Sequence, residues 1–103
     1  MVDALQVVGE PHRREILRLV WDGERTAGEI AAAFDLTFGA VSQHLGVLRD
    51  AGFVTVRPAG NRRFYLADRR ALGPLARALE AMWSIDLDRL AAAVEADPDP
   101  ATR

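Results

Sequence analysis

The sequence has no cysteine and no lysine, so all thirteen of its basic residues are arginine. Without cysteine, the chain forms no disulfide, offers no thiolate to a metal and has no cysteine nucleophile. It also lacks an unbroken run of about 18 apolar residues, so we expect no transmembrane helix and no membrane partner. Neither a basic leader nor a signal-type apolar core is present in the first ten residues, MVDALQVVGE, and we therefore expect a cytoplasmic protein.

Charge is distributed unevenly along the chain. The net charge of −2 argues against a nucleic-acid-binding protein, but residues 37–70 carry six arginines and only two acidic residues. Residues 1–36 carry four arginines against seven acidic residues, and residues 71–103 carry three against six. A codon-biased genome would explain the missing lysine but not this clustering. A cationic middle flanked by acidic ends therefore favours a local contact with nucleic acid.

Length and composition predict one globular domain. Half of the 103 residues are apolar, which is enough for one modest core but not for two. Two Asp-Pro pairs in the segment ADPDPATR are expected to stop the last helix. We therefore place the domain at residues 1–96 and a flexible C-terminal tail at residues 97–103.

Two helices are predicted near the start of the chain. Residues 4–8 form a short first helix, and Pro11 suits the first turn of a second one. The second helix is expected to end at Asp22-Gly23. Its apolar residues at helical spacing are Ile16, Leu17, Val20 and Trp21.

Capping patterns predict a third and a fourth helix. Thr26 and Glu29 form a capping-box pattern for a third helix that closes at Asp35, and Thr37 caps the fourth. The fourth helix has an apolar face made of Phe38, Val41, Leu45 and Leu48. For Phe38, we favour packing in the core over contact with a thymine methyl group.

The opposite face of the fourth helix contains two glycines, Gly39 and Gly46, on either side of Gln43. Each glycine costs about 1 kcal/mol relative to alanine in a helix, but bare backbone on that face would allow close approach to DNA. Gly52 is expected to adopt the left-handed conformation that ends the helix, with Phe53 packing back on Leu48.

Alternating residues after the fourth helix predict a two-stranded hairpin with basic residues around its tip. Its strands are residues 54–57 and 62–66, and its turn is Pro58-Ala59-Gly60-Asn61. Residues 68–96 return to helix, in which Gly73-Pro74 marks either an N-cap with a first turn or a kink. The predicted fold is mainly α with a small β-hairpin. It is a winged helix-turn-helix of five helices and a two-stranded wing.

Four segments resemble the matching segments of the ArsR/SmtB family of bacterial winged-helix repressors: RREILRLV, TAGEIAAAF, AVSQHLGVLRDAGFV and GNRRFYL. They occur in the family's order and spacing, from residue 9 to about residue 66. The resemblance implies a dimer whose first and last helices form the interface. It also implies a DNA-reading recognition helix, here the fourth helix, and a wing that project from each subunit.

Metal-sensing members of the family carry cysteines before the recognition helix, or Asp, His and Glu on the last helix. This chain has no cysteine, and its only histidines, His12 and His44, lie outside the last helix. The resemblance therefore points to a branch without the metal-sensing residues, and we expect no metal site and no cofactor.

DNA contacts are expected from the outward face of the recognition helix and from the wing. Gln43 points most directly away from the apolar face, and its amide matches N6 and N7 of adenine. Ser42 can bond a base or a phosphate, and the amides that follow Thr37 can meet a phosphate. The predicted DNA-binding residues are Thr37, Gly39, Ala40, Ser42, Gln43, His44, Arg49, Arg57, Arg62 and Arg63.

Each of these assignments has a plainer alternative. Gln43 and Ser42 could belong to a solvated face, and His44 could make an internal hydrogen bond. Arginines at a hairpin tip often do no more than keep the protein soluble, but for the arginines of the wing we favour contact with DNA. For Arg13 and Arg14, at the start of the second helix, surface salt bridges are at least as good an explanation.

The long last helix would expose a large apolar stripe in a monomer, so we expect it to pair with its copy in a partner subunit. The alternative is a stripe packed wholly on its own domain. The predicted interface residues are Leu5, Val8, Leu75, Leu79, Met82, Trp83, Leu87 and Leu90.

These observations predict a sequence-specific DNA-binding transcriptional regulator that represses as a homodimer on a two-fold symmetric operator. The alternative is a winged-helix module that assembles with other proteins and binds no DNA. An enzyme would need an acid/base or nucleophile constellation, and the scattered carboxylates do not form one. The sequence assigns no small-molecule effector.

Overall fold

The computed structural model describes the backbone of residues 3–96 and the side chains of residues 3–85 and Val94. The predicted C-terminal tail, residues 97–103, and the side chains of Leu87 and Leu90 lie outside the described residues. The chain divides into two compact units, Met1–Leu72 and Gly73–Arg103.

Within the described residues, the first unit contains five helices and three strands, and the second contains one helix. The helices of the first unit are α1 (Ala4–Gly9), α2 (Pro11–Leu19), α3 (Ala27–Phe34), α4 (Phe38–Asp50) and α5 (Arg69–Leu72). Its strands are β1 (Arg25–Thr26), β2 (Val54–Ala59) and β3 (Arg62–Ala67). The second unit contains α6 (Pro74–Ala96).

The predicted helix starts are confirmed. Pro11 is the first residue of α2. At α3, the hydroxyl of Thr26 accepts the amide of Glu29, and the carboxylate of Glu29 accepts the amide of Thr26, which completes the capping box. At α4, the hydroxyl of Thr37 accepts the amide of Ala40 at 3.1 Å. Local side-chain chemistry thus sets where these helices begin.

The end of α4 is also as predicted. Gly52 has φ +82°, its amide donates to the carbonyl of Arg49, and the amide of Phe53 donates to that of Leu48, both at 2.9 Å. This is the Schellman arrangement. Asp35, at φ 53°, closes α3 in the left-handed region.

The predicted end of α2 is wrong by three residues, because the helix ends at Leu19 rather than at Asp22-Gly23. Val20 leaves the helix with ψ 17°, and its carbonyl accepts the amide of Ala67 at the end of β3. Val20 and Trp21 are both buried. A hydrogen bond to a distant strand therefore replaces the last turn of the helix.

The predicted hairpin is present and somewhat longer than expected. Strands β2 and β3 pair antiparallel from Val54 opposite Ala67 to Ala59 opposite Arg62. Pro58 lies within β2, an edge strand of the sheet, where a missing amide is tolerated. The sheet has a third strand, since β1 pairs with β3. Two residues are too few for sequence alternation to reveal β1.

The core of the first unit is built from α1, α2, α3 and α4. Its largest fully buried side chains are Val7, Ile16, Leu17, Val20, Ile30, Val41, Leu45 and Leu48. The apolar face predicted for α4 is therefore confirmed at Val41, Leu45 and Leu48. The expected core packing of Phe38 is wrong, because its side chain is 61% exposed. Phe38 is the first residue of α4, and burial on this helix begins one turn later, at Val41.

The helical region after the wing is interrupted. Gly73 adopts φ +58° between α5 and α6, and Pro74 is the first residue of α6. Pro74 thus occupies the first turn of α6, as in the first of the two alternatives, whereas Gly73 is left-handed rather than extended as an N-cap residue usually is. No helix among the described residues is long and apolar enough to cross a membrane.

Candidate nucleic-acid interface

The outward face of α4 exposes most of the residues predicted to contact DNA. Ser42, Gln43, Gly39 and Arg49 are exposed, as is the capping residue Thr37, whereas Ala40 is half-buried. On the opposite face of α4, Val41, Leu45 and Leu48 are buried in the core. The helix is thereby anchored with its polar side chains turned outward.

The two glycines of α4 have no packing role among the described residues. A Cβ atom built on Gly39 or Gly46 meets no atom within 4 Å beyond the helix's own backbone. Crowding within the described part of the domain therefore does not explain them. Their position on the outward side of α4 is compatible with close approach of an external partner.

The wing presents two arginines at its tip. Arg62 and Arg63 begin β3 and are both exposed. Neither takes part in an ion pair within 4 Å among the described residues. Both guanidinium groups are therefore available to an anionic partner.

Arg57, the third arginine predicted to contact DNA from the wing, is engaged inside the domain. Its Nε donates to Oε2 of Glu24 at 2.8 Å, and its Nη2 donates to Oε1 at 3.1 Å. Its guanidinium carbon lies 4.7 Å from the ring centre of Phe64, its partner across the strands. The hydrogen bonds and charge of Glu24 raise the pKa of Arg57. No pattern in the sequence indicates a role for Glu24, which precedes β1.

A groove of about 790 Å³ separates the recognition helix from the wing. Residues 26–29 line it at the start of α3, Phe38 and Ser42 on α4, and residues 61–65 on the wing. The groove brings together Ser42, Arg62 and Arg63, three of the residues that the sequence predicts as DNA contacts. Phe38 on α4 and Phe64 on the wing also line the groove. The exposure of Phe38 was not predicted because it depends on tertiary packing.

His44 occupies the boundary between the buried and outward faces of α4. Its Nδ1 lies 3.8 Å from Oε2 of Glu10, and its ring stacks on that of His12 with centres 5.7 Å apart. His12 Nδ1 lies 3.0 Å from Oε1 of Glu10. Burial acts to raise the pKa of the Glu10 carboxyl, but the Arg13 amide and the two histidines outweigh it, so the pKa is lowered. His44 therefore has internal neighbours that its place in the sequence does not reveal.

Arg13 and Arg14 bind the C-terminal end of α1, a role that their place in the sequence does not indicate. Arg13 donates from Nε to the carbonyl of Val7 at 2.7 Å, and Arg14 donates from Nη1 to the carbonyls of Val8 and Gly9 at 2.9 Å each. These are the last carbonyls of α1, and cations at a helix C-terminus are favourable. Neither arginine forms a salt bridge within the described part of the chain, and both cap α1.

Several residues predicted for a dimer interface are exposed and others are buried. Leu5 on α1 is 65% exposed and Met82 on α6 is 39% exposed. Val8, Leu79 and Trp83 are buried, and Leu75 is half-buried. On α6, Ile85 and Val94 are further exposed apolar side chains.

Comparison with known proteins places the chain in a family. Residues 10–56 match the family of bacterial regulatory proteins named arsR. HTH-type transcriptional regulator Rv2034 of Mycobacterium tuberculosis is 35% identical over 93% of this chain and 90% of its own length. The biofilm growth-associated repressor of Agrobacterium fabrum is 37% identical over 79% of this chain and 67% of its own length.

The fold agrees with that assignment. The crystal structure of a possible transcriptional regulator for arsenical resistance matches with a TM-score of 0.69 and 40% sequence identity, over 91% of this chain and 98% of that protein's chain. The predicted winged helix-turn-helix fold is thereby confirmed, together with the family resemblance. The chain belongs to the arsR family of bacterial regulatory proteins, which are transcriptional regulators and not enzymes.

Proposed function

We propose that this chain represses transcription as a homodimer bound to a two-fold symmetric operator. As a member of the arsR family, it is a DNA-binding transcriptional regulator. The observation that carries the proposal is the surface formed by Ser42 and Gln43 on α4 and by Arg62 and Arg63 across the groove. It combines exposed hydrogen-bonding side chains on a helix with two arginines that form no ion pair within 4 Å among the described residues.

The two parts of this surface have different roles. Gln43 reads a base edge in the major groove, where an amide pairs with adenine, and Ser42 bonds a neighbouring base or phosphate. Gly39 and Gly46 allow the backbone of α4 to approach the DNA. Arg62 and Arg63 bind phosphates or enter the minor groove beside the helix.

The remaining predicted DNA contacts flank the surface formed by Ser42, Gln43, Arg62 and Arg63. The amides that follow Thr37 face a phosphate, with Ala40 in the same first turn and Arg49 at the far end of the helix. Arg57 reaches DNA only by leaving Glu24, and His44 contacts a phosphate only by turning from Glu10.

Dimerisation would place two recognition helices on one side of the duplex. Half-sites about one helical turn apart, roughly 34–36 Å, would then admit both helices to successive major grooves. Leu5 on α1 and Met82 and Ile85 on α6 are exposed apolar side chains, and they support an interface through the terminal helices because a partner subunit could bury them. The repressor would act in the cytoplasm by occupying promoter DNA.

Fluorescence anisotropy with DNA from upstream of the chain's own gene tests the proposal. We expect tight binding at low salt and a steep loss of affinity with rising salt, with a slope of about −0.9 for each phosphate neutralised. A scrambled duplex of the same length is the control and should bind more weakly. Sedimentation analysis should give two chains per operator.

Two results would contradict the proposal. Absence of binding to upstream DNA at low salt would favour a winged-helix module for protein assembly. Equal affinity for upstream and scrambled DNA would remove the base-reading role of α4.

A further inference from the structure

Three metal-ligating side chains from separate parts of the sequence meet beside the recognition helix. Glu10 precedes α2, His12 is its second residue, and His44 lies in the middle of α4. A ligand atom of each residue, the Nδ1 or Nε2 of a histidine or a carboxylate oxygen, lies within 4.8 Å of the other two. The fold therefore assembles a cluster that no spacing in the sequence indicates.

We propose that Glu10, His12 and His44 form a site for one divalent transition-metal ion of the zinc type. Two imidazoles and one carboxylate are a ligand set that zinc uses when three side chains and a water complete its coordination. Imidazole nitrogen also suits nickel, cobalt and copper, whereas magnesium and calcium select oxygen ligands. The ligand set therefore points to the zinc class.

The surroundings of the cluster suit a metal site. Oε2 of Glu10 accepts the amide of Arg13 at 2.9 Å, which orients the carboxylate as outer hydrogen bonds do for metal ligands. The guanidinium of Arg13 is bound by the carbonyls of Val7 and Gln6. The side chain of His12 is 53% exposed and gives an ion access from solvent, whereas that of His44 is only 20% exposed. The exposed imidazole of His12 can therefore reorient toward an ion, whereas Glu10 is oriented by the Arg13 amide and His44 is largely enclosed.

An ion in this site would tie the recognition helix to the start of α2. His44 directly follows Gln43, the residue that faces outward from α4. Coordination of His44 would fix that part of α4 relative to α2 and remove His44 from any contact with DNA. The site lies in a different place from the last-helix and cysteine-based sites that the sequence lacks.

Metal binding is measured on the untagged, chelator-treated protein without DNA, because a polyhistidine tag would itself bind metal. Titration with ZnCl2 by calorimetry should give one ion per chain. Titration with CoCl2 should produce visible absorption bands of nitrogen- and oxygen-coordinated cobalt. Zinc should also raise the unfolding temperature in a concentration-dependent manner.

Two ligand variants and a matched control decide the outcome. His12→Gln and His44→Gln should each lower the zinc affinity by roughly tenfold or more, since even outer-shell changes cost about 10- to 100-fold. Glu15→Gln alters another exposed carboxylate of α2 and should bind zinc as the wild type does. Because His12 is exposed, its variant is expected to fold, which circular dichroism checks.

Wild-type affinity in the His12→Gln protein would overturn the proposal. Weak zinc binding of equal strength in all four proteins would overturn it as well, because it would show only nonspecific surface association. None of these measurements involves DNA, so failure of the metal proposal is independent of the proposed repressor function.

Discussion

Glu24 holds the guanidinium of Arg57 with two hydrogen bonds, across 33 positions of the sequence. Arg57 therefore stands on the wing with its charge matched by a carboxylate rather than open to phosphate. Because Arg57 is 57% exposed and Glu24 34% exposed, this pair is solvated and contributes little to stability. Its consequence for DNA binding is larger, since one acid offsets one of the wing's positive charges.

Glu24→Gln is expected to increase affinity for operator DNA at low salt. The variant removes the negative charge and frees Arg57, so the salt slope should steepen by about one phosphate contact. Anisotropy titrations at several salt concentrations measure both effects. In an Arg57→Ala background, Glu24→Gln still removes the acidic charge but releases no arginine, so the salt slope should stay the same. If the slope steepens there as much as it does with Arg57 present, release of Arg57 is not the cause.

Gln43→Ala is expected to weaken operator binding by roughly 1–3 kcal/mol and to relax base preference at one position. Arg62→Ala provides the contrast, because a phosphate contact should weaken all sequences alike and lower the salt slope by about 1. Binding to a set of operators with single base changes distinguishes the two. Uniform weakening by Gln43→Ala would show that Gln43 does not read a base.

Gly46→Ala is expected to stabilise the fold and weaken DNA binding. The new Cβ would point into open space, so the helix gains up to about 1 kcal/mol in propensity, read as a higher urea midpoint. On DNA, the same methyl would separate the α4 backbone from the groove. Gly52→Ala is the control for the stability effect. It adds the same methyl group, but φ +82° at Gly52 makes that substitution destabilising. Unchanged DNA affinity in Gly46→Ala would remove the proposed close approach.

The capping box of α3 predicts an acid-sensitive contribution to stability. Hydrogen bonds with Thr26 lower the pKa of Glu29 below its usual value of 4.5. Because the folded-state pKa is depressed, the contribution is present above pH 4.5 and is lost as pH falls through the folded-state pKa. Glu29→Gln keeps a side chain that can bond the amide of Thr26 but has no charge to titrate.

The test is the free energy of unfolding of both proteins between about pH 7 and pH 3. The advantage of wild type over Glu29→Gln should shrink as the pH falls below 4.5. A difference that stays constant over this range would mean that the charge of Glu29 contributes nothing to the cap.

Much of the fold follows from local chemistry and was therefore predictable. Thr26 and Thr37 cap helices through bonds to residues three positions away, and Gly52 ends α4 within one turn. The same holds for the pairing of β2 with β3, whose strands are adjacent in the chain. Such features need only neighbouring residues and standard backbone geometry.

Other features of the site depend on which distant residues meet. In the sequence, Phe38 belongs to an apolar stripe. It is nevertheless exposed, because it is the first residue of α4 and burial on this helix begins at Val41. The pairing of Arg57 with Glu24 and the meeting of His44 with Glu10 each join separate elements. The sequence by itself determined where α2, α3 and α4 begin, where α4 ends, the pairing of β2 with β3 and the family, through interactions between near neighbours. Only the tertiary structure decided which charged and metal-binding side chains face one another, because those distances are set by the packing of whole helices and strands.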